Sequence, residues 1–270
     1  MPALRQIERI EWRVLGAWRC IDAATGMPIT GPLEFAAPAD TQIIRNRSGL
    51  HVINRYGALA AHSAAFTAPP TTPQAGDLTL TVTLRDPAGF YLARTATIAL
   101  PRDARPENAG NADSLFNPVD VELYRSAAAP LGANWVALRV ALSERASGDA
   151  LGGALMRVRS NGRTLARGLS DWRGEALVPV VGVPITTWSE DENAVVVTAI
   201  DATLEVFFDP TAGGIRTPAA DVAAGRAPAA APAPDPAKAE TNPAAVQTQA
   251  AIRMTTGQPL ALSVTLDLPD

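Results

Sequence analysis

The sequence predicts an all-β protein with two consecutive β-sandwich domains, an Ala/Pro-rich tether and a C-terminal β-hairpin. Apolar and polar residues alternate with the period of two that marks a half-buried strand, most clearly in residues 78–84 and 136–142. No segment repeats apolar residues at helical spacing over three turns. The predicted strands follow one another about every 8–12 residues, a spacing typical of sandwiches rather than of parallel sheets.

The composition indicates a soluble protein made in a bacterial cytoplasm. The chain has 270 residues, enough for two domains, and its net charge of −4 excludes the basic balance of a nucleic-acid-binding protein. Arginine supplies every basic position except Lys238, which together with the abundance of alanine and proline favours a GC-rich bacterial genome. The N-terminal residues lack the apolar region of a signal peptide, and no apolar run is long enough to predict a membrane span. We therefore expect a cytoplasmic location.

The first domain is predicted to span residues 1–105. Its opening strand, residues 9–21, ends at a turn for which Asp22 supplies a backbone-binding carboxylate and Gly26 a positive φ. Cys20 lies on the apolar side of this strand, and a single cysteine excludes an internal disulfide. Further strands are expected at residues 43–46, 50–54, 78–84, 90–92 and 95–100.

The second domain is predicted to span residues 114–210. Asn161-Gly162 is the strongest signal of a tight hairpin in the chain, because both residues tolerate a positive φ. The hairpin is followed by a turn at Gly168–Gly174. Strands are expected at residues 119–124, 136–142, 153–160, 164–167, 175–180, 195–200 and 203–208, with a break near Asp201.

The remaining residues divide into a tether and a hairpin. Residues 211–244 are rich in alanine and proline, and we expect them to form an extended, semi-stiff linker. Residues 245–270 are predicted to form a β-hairpin. Its second strand has one apolar side, which needs a partner because such a side and an open strand edge are not stable alone in water. The apolar side consists of Leu260, Leu262, Val264, Leu266 and Leu268.

Residues 153–178 resemble the carboxypeptidase regulatory-like family, whose members are small transthyretin-like, or Ig-like, β-sandwiches. The resemblance lies in the Asn161-Gly162 hairpin and in the turn Gly168-Leu-Ser-Asp-Trp-Arg-Gly174. The segment Ile21-Asp-Ala-Ala-Thr-Gly-Met-Pro-Ile29 is similar to the opening of such modules. This implies sandwich domains in an accessory role, without the zinc-binding catalytic domain of the carboxypeptidases.

The order of the elements also resembles that of small proteins of extracellular contractile injection systems, which are phage-tail-like particles. The features concerned are the turn at 22–28, the hairpin at 86–94, the segment 117–124 and the Ala/Pro stretch that follows the second sandwich. The resemblance implies a structural component of a particle. Its partners would be other subunits of the same or a related protein, in a homo-oligomer or a larger assembly.

No residue pattern indicates catalysis, a cofactor or a metal site. Cys20 is expected to face a core. The sequence has no Gly-x-Ser-x-Gly nucleophile elbow for which His51 or His62 could act as the base. Two histidines without a Cys-x-x-Cys pair make a poor metal site. The acidic run Glu190-Asp-Glu192 lacks the alternating ligand spacing of a calcium loop. We therefore predict a chain that is not an enzyme.

Two functions follow from these observations. The first is a structural or assembly role, in which the strand carrying Leu262 and Val264 pairs with a sheet of its own chain or of a neighbouring subunit. The sequence does not distinguish these two arrangements. The alternative is a glycan- or protein-binding module, with Trp172 and Trp188 as an aromatic platform at neighbouring strand ends.

Overall fold

The computed structural model describes residues 13–64, 70–132, 135–182, 199–255 and 258–269. Within these residues it contains sixteen strands and three short α-helices, which confirms the all-β prediction. The helices are α1 (Ala60–Ala64), α2 (Ala219–Ala223) and α3 (Pro236–Thr241). None of the described helices is long and apolar enough to cross a membrane.

The strands alternate with turns along the whole described chain. The first eight are β1 (Gly16–Asp22), β2 (Glu34–Ala36), β3 (Gln42–Arg45), β4 (His51–Arg55), β5 (Leu78–Arg85), β6 (Arg94–Leu100), β7 (Val119–Leu123) and β8 (Val136–Glu144). The others are β9 (Ala150–Gly152), β10 (Leu155–Ser160), β11 (Arg163–Leu169), β12 (Glu175–Val180), β13 (Ala199–Phe208), β14 (Ile215–Thr217), β15 (Val246–Thr255) and β16 (Leu260–Leu266).

The chain forms two compact units from discontinuous segments. The first consists of Met1–Cys20, Ala37–Val82 and Thr97–Val121, and the second of Ile21–Ala36, Thr83–Ala96 and Glu122–Asp270. The sequence instead predicts consecutive domains, 1–105 and 114–210. The two divisions differ because strand pairing joins segments that are far apart in sequence, so local patterns do not report it. The consecutive boundaries stay a prediction.

In the first unit, β4 is the central strand of an antiparallel arrangement. It pairs with β3 on one side and with β1 on the other, where Trp18 lies opposite His51. A compact apolar core forms around these strands because every second side chain points inward. Its fully buried members include Trp18, Ile53, Leu59, Leu80, Ile98 and Leu100.

The second unit contains a β-sandwich with one continuous core. One sheet has the strand order β11-β10-β13-β15. The other has the order β12-β8-β9-β14, with β16 paired to β8. Alternate side chains from both sheets meet in the core, as in other sandwiches. Among the buried core residues are Leu138, Val140, Leu142, Met156, Val158, Val206, Phe208, Ile252 and Met254.

Several predicted turns are confirmed. Asn161 and Gly162 both have a positive φ, 49° and 76°, and join Ser160 to Arg163 in a two-residue hairpin between β10 and β11. The next turn is closed by Asp171, whose carboxylate accepts hydrogen bonds from the backbone N–H groups of Arg173 and Glu175 at 2.9 and 3.0 Å.

Gly174 completes this turn with a φ of 74°. A Cβ atom at Gly174 would lie 2.2 Å from the carbonyl oxygen of Leu142, so the turn requires glycine for space as well as for conformation. In the first half of the chain, the carboxylate of Asp22 accepts the backbone N–H of Ala24 at 2.8 Å, as the predicted turn requires. The break predicted near Asp201 is wrong, because β13 continues through it from Ala199 to Phe208.

The predicted tether is also wrong, because both ends of residues 211–244 fold onto the second unit, whereas residues 223–232 between them are exposed. They contain β14, α2 and α3, and Ala239 in α3 is only 1% exposed. The backbone of this segment bonds to the body of the unit: Thr95 N–H donates to Pro234 C=O at 2.7 Å, and Asp235 N–H donates to Ala212 C=O at 2.7 Å. Specific hydrogen bonds thus order a stretch whose composition alone predicts extension.

The predicted C-terminal hairpin is wrong as well. β15 pairs antiparallel with β13, whereas β16 pairs parallel with β8 in the opposite sheet. The two strands therefore belong to different sheets instead of pairing with each other as a hairpin. Both strands do alternate as predicted, since alternation depends only on which face of a strand is buried.

Candidate docking edge

The five apolar residues that are predicted to dock the C-terminal strand on a partner lie against the core of their own chain. Leu266 is 1% exposed and belongs to the core of the sandwich, and the other four residues are partly buried and pack against it. β16 pairs with β8 from Leu260 opposite Leu138 to Leu266 opposite Glu144. The structure therefore shows the arrangement in which the strand completes a sheet of its own chain. A role of these five residues in contacts between subunits stays a prediction.

β15 is the outermost strand of its sheet within the described residues. It pairs with β13 over ten consecutive residues, from Val246 opposite Phe208 to Thr255 opposite Ala199, without a bulge or a shift in register. Its other edge has no strand partner in the described part of the chain. Such an edge presents a row of backbone N–H and C=O groups that can pair with a further strand.

The composition of β15 does nothing to block such pairing. Residues 246–252 contain no charge and no proline, which are the usual means of protecting an edge. The side chains of Gln247, Gln249, Ala251 and Arg253 are exposed, while the alternate residues point toward the core. The edge is thus long, regular and uncharged over most of its length.

The opposite end of each sheet is protected. β11, at the other end of the same sheet, carries Arg163 and Arg167, and a register shift at Val158/Arg159 interrupts its pairing with β10. β12, at the end of the second sheet, begins with Glu175 and contains Pro179, which cannot donate a backbone hydrogen bond. The edge at β15 therefore differs from both of these ends.

A charged network covers the outer face of the sheet next to this edge. Arg157 contacts Glu205 at 2.6 Å and also pairs with Glu240 of α3. Arg167 bridges Glu240 at 3.2 Å and Glu122 at 3.3 Å. The network fixes α3 on the sheet and leaves a shallow groove of about 330 Å³ beside it, lined by Arg157, Glu205, Val206, Phe207, Gln247, Thr248 and Gln249.

A buried carboxylate fixes the segment that leads into β15. Asp209 is 3% exposed and accepts hydrogen bonds from Asn242 Nδ2 at 2.7 Å and from the N–H and Oγ1 of Thr211 at 2.8 and 2.7 Å. Burial opposes ionisation of Asp209, but the hydrogen bonds from Asn242 and Thr211 outweigh it and hold the pKa of this carboxyl below its usual value. Through its hydrogen bond with Asn242, the carboxylate of Asp209 therefore links the end of β13 to the residues just before β15.

The two histidines and the cysteine are buried. His51 is stacked on Trp18, with ring centroids 5.3 Å apart, and burial followed by the charge of Arg45 lowers its pKa to about 4. His62 is 5% exposed in α1, and Cys20 is buried. No group of three or more metal-ligating side chains occurs among the residues that the structure describes.

The predicted aromatic platform is only partly within the described residues. Trp172 is half-buried, and the guanidinium of Arg173 lies 5.9 Å from the centre of its ring. Trp188 and the acidic run Glu190–Glu192 lie outside the described residues. A ligand platform formed by the two tryptophans therefore stays a prediction.

The edge at β15 was missed at the level of sequence. Its signal was present, since residues 246–255 alternate between the core and solvent and lack charge until Arg253. From sequence, only residues 260–268 are predicted to provide the docking side. The strand order, which decides which strand lies outermost, depends on pairing between distant segments.

No model of a known protein family matches this chain. A search of curated proteins also gave no match. Among solved structures, the chain is similar to the Bacillus anthracis TIE protein, with 10% sequence identity and a TM-score of 0.25. The match covers 95% of this chain and 34% of that one, so the chain spans about a third of the length of that protein.

Proposed function

We propose that the chain is a non-catalytic structural or assembly component, which binds a strand of another subunit along the edge of β15. The observation that supports this most is the contrast between the two ends of the sheet. β11 has charges and a bulge, whereas β15 offers ten regular positions. Backbone hydrogen bonds along such an edge provide affinity, and the alternate side chains provide selectivity.

In this role, β16 stabilises the subunit rather than the contact between subunits. Its apolar side is used by the core of its own sandwich, so a partner strand would add to an exposed sheet edge instead of filling that core. The subunit would be stable before assembly. Docking would then require little rearrangement, as in most contacts between preformed partners.

The assembly that we infer is a phage-tail-like contractile injection particle. This rests on the resemblance of the element order to proteins of such systems, and on the hairpin at Asn161-Gly162 that the carboxypeptidase regulatory-like resemblance expects. The protein would be made in the cytoplasm and released within the particle. Its partners would be further copies of itself or related subunits, with neither nucleic acid nor a membrane span involved.

Sedimentation of particles tests this function. Particles would be pelleted from lysates of the encoding bacterium and separated on a density gradient, and the chain would be detected with an antibody. We expect the chain in the particle fractions, and we expect fewer intact particles from a strain in which its gene is deleted. A chain that stays in the supernatant, together with an unchanged number of particles from the deletion strain, would show that the proposed function is wrong.

A further inference from the structure

The geometry of β15 points to a second copy of this chain as the occupant of its edge, an inference that rests on the proposed assembly role. The two β15 strands would run antiparallel about a two-fold axis at Ala250. The four-stranded sheets of both copies would then join into one continuous sheet. A two-fold interface uses the same surface on both copies, so the edge must be complementary to itself.

The inward side of β15 meets this condition. Around Ala250, the pairing would place Thr248 opposite Ile252 and Val246 opposite Met254 of the second copy. Ile252 and Met254 are 5% and 1% exposed, whereas Val246 and Thr248 are only half-buried. The half-buried Val246 and Thr248 of each strand would therefore lie beside the well-packed half of the other, where they gain cover across the strands.

The outward side places no like charges opposite each other. Gln249 would lie opposite Ala251 of the second copy, and Gln247 opposite its Arg253. Arg253 is the only charged residue of β15, and this register keeps the two arginines far apart. The groove beside Gln247 and Gln249, which is also lined by the ion pair of Arg157 with Glu205, leaves room for the guanidinium that would arrive there. Like charges nowhere face each other along the strand.

The size of this contact predicts a reversible dimer. One pair of edge strands buries less surface than a standard protein interface. Association also costs translational and rotational freedom, and only the contact energy in excess of that cost appears as affinity. We therefore expect the dimer to dissociate on dilution through the micromolar range. Equilibrium ultracentrifugation of the full chain, from low micromolar to several hundred micromolar, measures this directly.

A pair of charge variants tests the register. In Gln249→Lys/Ala251→Lys, lysines of the two copies would face each other, and we expect the mass to fall by a factor of two, to that of the monomer. In Gln249→Lys/Ala251→Glu, opposite charges would face each other, and the dimer should persist. Within one chain, position 249 lies opposite Glu205 and position 251 opposite Thr203, so neither variant places like charges opposite each other in its own sheet.

The matched control is Thr164→Lys, an exposed position on β11 at the other end of the sheet, which should leave the mass unchanged. Far-UV circular dichroism checks that every variant is folded. The inference is overturned if the unmodified chain is monomeric at the highest concentration, if the double lysine variant stays dimeric, or if the lysine–glutamate variant is monomeric. A monomeric chain that still sediments with particles would overturn the second copy as occupant while the assembly role stands.

Discussion

Replacing Leu266 by alanine should destabilise the second unit, because this side chain belongs to the core of its own sandwich. Leu266 is 1% exposed and lies on the buried side of β16. Truncating a buried leucine to alanine costs about 2–5 kcal/mol of unfolding free energy, and the position of Leu266 at the end of β16 favours roughly 3 kcal/mol. That is a large part of the about 5–15 kcal/mol that stabilises a typical domain.

Urea unfolding of the full chain, followed by circular dichroism, measures this loss. The matched control is Ser263→Ala, which changes an exposed side chain on the opposite side of the same strand. An exposed substitution of this kind changes the unfolding free energy by less than about 0.5 kcal/mol. The difference between the two variants therefore reports the burial of β16 and not a general effect of alanine.

One result would refute the reasoning. If Leu266→Ala leaves the unfolding free energy unchanged but lowers the mass of the chain in solution, then β16 packs against a neighbouring subunit. Light scattering on the same samples provides the mass. Loss of stability at constant mass agrees with docking within the chain.

Three further substitutions test the interior. The pKa of His51 is about 4 in the folded chain and 6.5 in the unfolded chain, so protonation of His51 favours unfolding. The free energy of unfolding should therefore fall as the pH drops from about 6.5 to about 4, by at most roughly 3 kcal/mol. In His51→Gln this part of the pH dependence should disappear from urea midpoints, and an unchanged slope would contradict the burial argument. Asn242→Ala removes a hydrogen bond from the buried charge of Asp209 and should cost about 1.5–3 kcal/mol in the same assay; no loss would mean that the carboxylate finds another donor. Gly174→Ala should cost more than Gly182→Ala, since both have a positive φ but only Gly174 also faces a carbonyl oxygen, and equal thermal midpoints would show that the turn adjusts.

The turns and the alternation of strands could be predicted from sequence because both depend on neighbouring residues. Asn161-Gly162 adopts the expected hairpin since both residues accept a positive φ, and Asp171 binds the backbone within four positions of itself. Alternation in β16 likewise identified the buried side. Each of these predictions requires only that the local conformation be known.

The Ala/Pro-rich segment shows where composition misleads. Residues 211–244 have few large apolar side chains, and composition alone therefore predicts an extended linker. The segment is ordered by individual contacts that composition does not report, among them Asn242 with Asp209 and Glu240 with Arg157 and Arg167. A few well-placed polar residues thus order a stretch that buries little apolar surface of its own.

The candidate edge could not be predicted because the position of a strand within a sheet is a property of the whole fold. The period of two in β15 and β16 states which side is buried, but it is the same for a central strand and for an edge strand. An edge strand differs from a central strand in that the backbone groups of one of its sides have no strand partner. In this sandwich the two sheet ends formed by β11 and β12 carry charges, a bulge or a proline, while β15 carries none of them before Arg253. Since unprotected edges tend to aggregate, a regular edge that is uncharged from Val246 to Ile252 favours the proposed pairing with a further strand.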